Sequence, residues 1–218
     1  MRGFFVTGTD TSVGKTVVAA ALVSRMRVMA ATGYWKPVQT GIECDDDTAT
    51  VRALAACGPE EVWDQGIRLE RPIAPHLAAR LVDRVISVES VLGDGPDDEG
   101  RAWVVEGAGG VLVPLNDTET MATLMERLGL PAVVVTRSTL GTINHTLLTL
   151  EALRTRGIRV AGIVMVGPRN LENRNAVEVR GGAPVVAELP LLSPLTPASL
   201  ADWTMRSLGG EWLQKEMA

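Results

Sequence analysis

The sequence predicts an α/β fold, a mostly parallel β-sheet flanked by helices, and three observations predict it. Short apolar runs that read as strands alternate with helix-forming runs, the pattern of β-α-β units joined by right-handed crossovers. Hydrophobic residues make up 46% of the 218 residues but aromatic ones only 4%. The core is therefore built from Val, Leu, Ala and Ile, the composition of a parallel sheet covered on both faces. Third, the stretch Gly8 to Thr16, Gly-Thr-Asp-Thr-Ser-Val-Gly-Lys-Thr, stands between an apolar run, Phe4-Phe5-Val6, and a helix-forming run, Val17-Val18-Ala19-Ala20-Ala21-Leu22. Strand, glycine-bounded loop, Gly-Lys-Thr and helix make a phosphate-binding loop, so the expected fold is that of the P-loop containing nucleoside triphosphate hydrolases. The length suits one such domain over residues 1–218.

Each part of that loop has a chemical task. Successive backbone N–H groups and the helix N-terminus surround phosphate oxygens, Lys15 adds a mobile positive charge, and the Thr16 hydroxyl faces a Mg²⁺. Five residues separate Gly8 from Gly14 where the usual loop has four, so this is an extended variant. Val13 to about Ala31 reads as the helix that follows, ended by Thr32-Gly33. The segment Tyr34-Trp35-Lys36-Pro37-Val38-Gln39-Thr40-Gly41 starts as a short strand that stops at the proline, which cannot continue a central ladder. Asp45-Asp46-Asp47 precedes an apolar-periodic helix, Ala49 to Cys57. Such a run is ordinarily a solvated helix start, but after a phosphate site it is also a candidate cation ligand.

Pro72 to Pro75 turns into a helix, His76 to Val82, and a further helix follows Ser87. Gly93 to Gly100 reads as an exposed polar loop. Ala102-Trp103-Val104-Val105 is an apolar strand ending in an acid, Glu106, where nucleotide-binding sheets place a second Mg²⁺-organising carboxylate. Thr118 to Leu128 reads as a helix and Ala132-Val133-Val134-Val135 as a buried strand. Leu140-Gly141-Thr142-Ile143-Asn144-His145 opens a helix running to about Arg156. Its start leaves several N–H groups unpaired with a dipole that favours an anion; simple N-capping is the plainer reading. Val160 to Val166 and Val185 to Glu188 are further strands, and one or two helices follow from Pro197. Ligands gather at the carboxyl ends of such strands, where Lys15, Lys36, Asp47 and Glu106 are all expected, so the four can converge.

A net charge of −5 with no basic run argues against nucleic acid as the main partner. No signal peptide is visible, and the apolar runs fall far short of the ~20 residues that cross a bilayer. A cytoplasmic protein without membrane association is expected. Cys44 and Cys57 lack metal-type spacing and read as free thiols. His76 and His145 read as packing or hydrogen-bonding histidines rather than general bases.

Four motifs in order carry a resemblance: Thr7-Gly-Thr-Asp-Thr-Ser-Val-Gly-Lys-Thr16, Lys36-Pro-Val-Gln-Thr-Gly41, Val105-Glu-Gly-Ala-Gly-Gly110 and Leu140-Gly-Thr-Ile-Asn-His145. Pro75-His76 and Glu188-Leu-Pro-Leu191 are weaker matches. Over most of its length the chain resembles the dethiobiotin synthetase family. The resemblance implies a cyclo-ligase of biotin biosynthesis. Such an enzyme closes the ureido ring of dethiobiotin from 7,8-diaminopelargonate (7,8-diaminononanoate), CO₂ and ATP with Mg²⁺, releasing ADP and phosphate. It also implies a homodimer with sites shared across the interface.

Residue roles follow from the same resemblance. Lys15, Lys36 and Thr11 are the expected catalytic residues, with Lys15 on the β/γ oxygens and Lys36 between carbamate and γ-phosphate. Thr16, Asp47 and Glu106 would gather around the Mg²⁺. The nucleotide site is expected to comprise Ser12, Val13, Gly14, Lys15, Thr16 and Val17, then Asp47, Glu106, Gly107, Ala108 and Gly109, and finally Val166, Gly167, Pro190, Leu191 and Leu192. Thr40 and Gly110 would meet the substrate, whose carboxylate would be held by Gly141, Thr142, Ile143 and Asn144 across the dimer interface.

Two departures bear on the nucleotide. Many family members carry a glutamate in the position of Ser12. Those that read adenine commonly carry an asparagine in the position of Val166, and valine cannot pair with a base edge. Nucleoside triphosphates besides ATP are therefore expected to serve. A partition or division-site switch ATPase of the same fold is the alternative reading; those proteins carry an extra lysine early in the loop, where this chain has Asp10. An amidotransferase-type cobyrinate synthase shares the nucleotide domain but needs a glutaminase domain, for which 218 residues leave no room.

Overall fold

Neighbouring residues of the first strand, β1 (Arg2–Gly8), go to opposite sides. Phe4 and Val6 join one buried cluster and Phe5 the other, the period-two pattern of a strand buried on both faces. The computed structural model, which describes residues 1–97 and 100–217, continues in alternating units. After β1 come α1 (Lys15–Met26), β2 (Thr32–Trp35), β3 (Val38–Thr40) and α2 (Asp47–Leu54). A 3-10 turn over Pro59–Glu61 leads to β4 (Val62–Trp63), β5 (Ile67–Leu69), α3 (Pro75–Arg80) and α4 (Val88–Gly93). Next are β6 (Ala102–Gly110), α5 (Met121–Leu128), β7 (Ala132–Arg137), α6 (Thr142–Thr155) and β8 (Val160–Val166). The chain closes with α7 (Leu171–Gly181), β9 (Val185–Leu189), α8 (Pro197–Ser207) and α9 (Gly210–Met217).

Seven strands form one parallel sheet in the order β4-β2-β6-β1-β7-β8-β9, and β3 pairs with β5 in a second, two-stranded sheet. Val18 and Leu22 of α1, Val51 of α2, Trp203 of α8 and Leu213 of α9 cover the Phe4 face. Ala79, Val91, Leu124, Leu153 and Val177, one from each of α3 to α7, cover the Phe5 face. Burying each Leu or Phe contributes about 1.5–3 kcal/mol. Successive strands leave β1 in both directions, toward β6 and toward β7, so the loop after β1 stands at a topological switch point, where such sheets bind ligands.

The structure departs from expectation where pairing overrides local signals. Glu106 does not follow its strand: β6 runs on to Gly110, with Glu106 opposite Val6 and Gly110 opposite Gly8. The glycine-rich run reads as a turn, but the β1 ladder keeps it extended. Helix α1 ends at Met26 rather than Ala31, because the N–H groups of Met29 and Ala30 both fold back onto the Met26 carbonyl. Pro37 stops β2 as expected, and the chain restarts beyond it as β3. The sequence gives little sign of α7, since only Val177 and Gly181 of that polar helix are buried. Helix α4 ends at Gly93, and positions 98 and 99 of the expected polar loop lie outside the described residues. Among the described residues no helix is long and apolar enough to cross a membrane, and Cys44 and Cys57 are free.

Candidate active site

The phosphate loop closes on Gly14, which caps α1 in the left-handed conformation at φ 98°. A side chain here would be strained, and its Cβ would come 3.2 Å from Val166. The Lys15 side chain curls back so that Nζ donates to the Asp10 carbonyl at 3.0 Å. Lys15 is 7% exposed. Burial, with the neighbouring charge of Lys36, pushes its pKa down to about 8, partly offset by Glu106, Asp47 and Asp10. Asp10 in turn pairs with Arg137 at 3.2 Å, and Arg137 also donates to the Thr11 carbonyl, bracing the loop against the end of β7.

Thr16, Asp47, Glu106 and Lys36 meet at one point. The Thr16 hydroxyl donates to Asp47 Oδ1 at 2.7 Å and lies 3.1 Å from Glu106 Oε1. Lys36 Nζ sits 2.6 Å from Asp47 Oδ2 and 2.7 Å from Glu106 Oε1, and donates to the Gly107 carbonyl at 3.2 Å. Lys36 is 6% exposed and Glu106 0%. Burial lowers the Lys36 pKa, but Glu106 and Asp47 outweigh it and hold the ammonium above the ordinary lysine range. Burial likewise opposes the Asp47 carboxylate, and Lys36 and Thr16 more than compensate, so its pKa is lowered. Glu106 caps no turn. Its second oxygen accepts from the Tyr34 hydroxyl at 2.9 Å.

The aspartate run divides its labour by position. Asp46 is the N-cap of α2, accepting from the Ala49 N–H at 3.1 Å and pairing with Arg68 at 2.6 Å. Asp47, the first helical residue, is thereby turned toward Lys36 and Thr16. A hydroxyl with two carboxylates within hydrogen-bond reach of it supplies the hard oxygen donors that Mg²⁺ takes. Among the described residues no group of three or more His, Cys, Asp or Glu side chains could hold a metal.

Two cavities share the phosphate loop as a wall. The larger, about 680 Å³, is lined by Thr11, Lys15, Thr16, Lys36, Thr40, Asp47, Glu106, Ala108 and Gly109, with Cys44, Asp45 and Pro72 to Pro75 opposite. The smaller, about 360 Å³, is bounded by Val13, Val17, Val166, Gly167 and Pro190 to Leu192. Its polar side chains are Ser12, Arg137 and Thr139; no carboxamide lines it among the described residues. Ser12, Gly14 and Val17 face both.

A family model described as an AAA domain matches residues 2–199. The chain is 48% identical over 201 residues to the ATP-dependent dethiobiotin synthetase BioD of Paramagnetospirillum magneticum, covering 92% of this chain and 94% of the relative. It is 43% identical over 197 residues to the protein of the same name from Nitrobacter hamburgensis, covering 90% of each. The chain belongs to the ATP-dependent dethiobiotin synthetase family. Among solved structures, a ParA family ATPase from Chlorobium tepidum superposes with a TM-score of 0.57 at 11% identity, covering 100% of this chain and 97% of that one. A likeness that remote shows the shared P-loop fold alone.

Against the site expected of a dethiobiotin synthetase, the loop residues, both lysines, Asp47, Glu106, Ala108, Gly109 and Thr40 come together around the larger cavity. Gly107 reaches it only through its carbonyl on Lys36. Gly110, Gly141, Thr142, Ile143 and Asn144 line neither cavity, and neither do His76 and His145. Gly141 caps α6 in the left-handed conformation, at φ 92°, with no side-chain hydrogen bond. The Thr142 hydroxyl is buried against Thr136 at 2.8 Å. Sequence reasoning missed Tyr34 and Arg137. Tyr34 was within reach, since it stands two residues before Lys36 and so on the same strand face. Arg137 carried no local signal.

Proposed function

We propose that this chain is a dethiobiotin synthetase in which one domain over residues 1–218 drives ureido ring closure of 7,8-diaminopelargonate with CO₂ at the expense of ATP. The observation that carries the reading is the buried Lys36 ammonium at 2.6 and 2.7 Å from two carboxylates, in a cavity shared with the phosphate loop. A nucleotide switch needs the loop and its lysine but not a second buried cation beside a cavity with room for a small diamine.

The chemistry follows from charge. One neutral amine attacks CO₂ and loses a proton to solvent to give a carbamate anion, and a carbamate oxygen attacks the γ-phosphorus as the bond to the β-phosphate oxygen breaks. Two anions must approach, so positioning and charge neutralisation dominate the barrier. Lys15 holds the β/γ oxygens, and Lys36 neutralises the charge between carbamate and γ-phosphate. Thr11 and Thr40 offer hydroxyls on the same wall. The second amine then attacks the activated carbon, losing a proton and expelling phosphate to close the ring. Thr16, Asp47 and Glu106 would hold a Mg²⁺, which supplies charge neutralisation on the phosphate oxygens when bound.

The smaller cavity suits the base, and its largely apolar lining, without a carboxamide among the described residues, supports the expectation of broad nucleotide use. A homodimer with sites shared across the interface is part of the same reading. In its support, Gly141 and Asn144 are exposed, and Leu140 and Leu148 are exposed apolar neighbours. Activity in the cytoplasm completes it.

The direct test is phosphate release that requires both diaminopelargonate and bicarbonate, with dethiobiotin as the organic product. ATP, CTP and GTP at equal subsaturating concentrations should support rates within about tenfold of one another. Phosphate release indifferent to the diamine would end the proposal in favour of a switch ATPase.

Lys15 makes a further prediction. With a free-state pKa of about 8, it is charged below that pH and increasingly neutral above it, whereas bound triphosphate favours the ammonium. The Lys15 contribution to nucleotide affinity should therefore be nearly level up to about pH 7, fall to about half by pH 8, and reach about one-tenth at pH 9 of its value at pH 7. Calorimetry in buffers of different ionisation enthalpy should register proton uptake on binding at pH 9. Affinity constant to pH 10 would contradict this.

A further inference from the structure

The mechanism uses Thr16, Asp47, Glu106 and Lys36 but leaves a fifth group on that cluster without a task. Tyr34 is 0% exposed and lines neither cavity, so it cannot touch nucleotide or diamine. Its hydroxyl donates to Glu106 Oε2 at 2.9 Å, with the Thr48 hydroxyl beside it. Glu106 Oε1 is the oxygen shared with Thr16 and Lys36. The two oxygens of one buried carboxylate are thus divided, one tied from behind and one presented to the site.

The strand geometry makes this division possible. Tyr34 and Lys36 are two residues apart, so their side chains leave the chain on the same side. Tyr34 is opposite Val104 and Trp35 opposite Val105 in the β2–β6 register, which brings Lys36 level with Glu106. One segment therefore delivers two donors to Glu106. A carboxylate is free to rotate about its last bond unless both oxygens are engaged. A phenol with a rigid ring, packed on every side, fixes that rotation at little entropic cost.

We infer that Tyr34 is a positioning residue: by holding Glu106 Oε2 it aims Oε1 at the point shared with Thr16 and Asp47, and so sets the affinity of the nucleotide complex for its divalent cation. This rests on the reading of Thr16, Asp47 and Glu106 as the cation's protein ligands. It predicts that a ring without a hydroxyl loosens the cation without displacing nucleotide or diamine.

The test compares Tyr34→Phe with wild type, using Mn²⁺ as the probe. Free Mn²⁺ is measured by electron paramagnetic resonance, with the protein in excess over β,γ-imido-ATP. Tyr34→Phe should bind Mn²⁺ about tenfold more weakly, as expected for one lost hydrogen bond to a charged group. In a Glu106→Ala background, where the acceptor of Tyr34 is gone, the same change should alter the affinity less than about twofold, because the two act as a unit. Turnover at limiting Mg²⁺ should fall by the same factor and recover when Mg²⁺ is saturating. A lower melting temperature with unchanged Mn²⁺ affinity would mean that the hydroxyl is merely structural, and an equal loss in both backgrounds would mean that it does not act through Glu106; either overturns the inference. If wild type shows no diamine-dependent turnover, the enzymatic reading fails instead, while the Mn²⁺ comparison still decides the role of Tyr34.

Discussion

Lys36→Gln is expected to lower the rate of ring closure by at least about a thousandfold, while nucleotide affinity changes by no more than about threefold. The loss is large because the ammonium faces charge that develops only in transfer, and groups placed that way carry about 10³–10⁵ in rate in phosphoryl transfer. Nucleotide affinity is spared because the loop N–H groups and Lys15 hold the phosphates independently. Glutamine is nearly as long as lysine and can still donate to Glu106, so a cavity is not the cause of the loss. Breaking a fully buried ion pair costs about 3–5 kcal/mol of stability. Asp47 is about a quarter exposed, with side-chain exposure of 24%, and can turn to water, so the observed cost should fall at or below that range. Single-turnover phosphate release from enzyme saturated with nucleotide and substrate is the measurement, with retained turnover as the refuting outcome. The same variant tests the shared site. Mixed with Gly141→Val, which is strained at φ 92°, it should regain up to about a quarter of wild-type activity if each site draws on two subunits of a C2 dimer. No recovery would place each site within one chain.

Glu106→Ala is expected to reduce Mg²⁺-dependent turnover by about 10²–10³-fold and to raise the Mg²⁺ concentration at half-maximal rate. Three donors lose their acceptor at once. Tyr34 is left with a buried unpaired hydroxyl, Thr16 keeps only Asp47, and Lys36 keeps Asp47 and the Gly107 carbonyl. Without its second anion, Lys36 is drawn toward Asp47 and competes with the cation there. Glu106→Gln separates charge from packing, because the amide oxygen can still accept from Tyr34. It should melt close to wild type and still show the raised Mg²⁺ requirement. Unchanged Mg²⁺ dependence in both variants would reduce Glu106 to a structural support of β6.

How much of this was legible in the chain depends on whether a residue acts through its neighbours in sequence or in space. The loop Gly8 to Thr16 was readable because strand, glycines, lysine, hydroxyl and helix are local, and local patterning decides them. Asp47 was readable only as the acid nearest the helix expected from Ala49; the helix begins at Asp47 itself, with Asp46 as its cap. Glu106 was found for the right residue type but set in the wrong surroundings. A run of glycines looks like a turn until the β1 ladder is known to hold it extended. Arg137 could not be found, because its partners Asp10 and Thr11 lie more than a hundred residues away.

By itself the sequence determined the fold class and the family and singled out the phosphate loop and the two lysines as candidates, because period-two and helical apolar patterns and contiguous motifs carry their meaning wherever they fold. Only the tertiary structure decided that Lys36 lies between Asp47 and Glu106, that Tyr34 ties down the far oxygen of Glu106, and that one loop divides two cavities. The physical reason is that a buried charge is tolerable only beside its counter-charge. Those counter-charges come from the start of α2 and the middle of β6, far apart in the chain, and no stretch of sequence records that they meet.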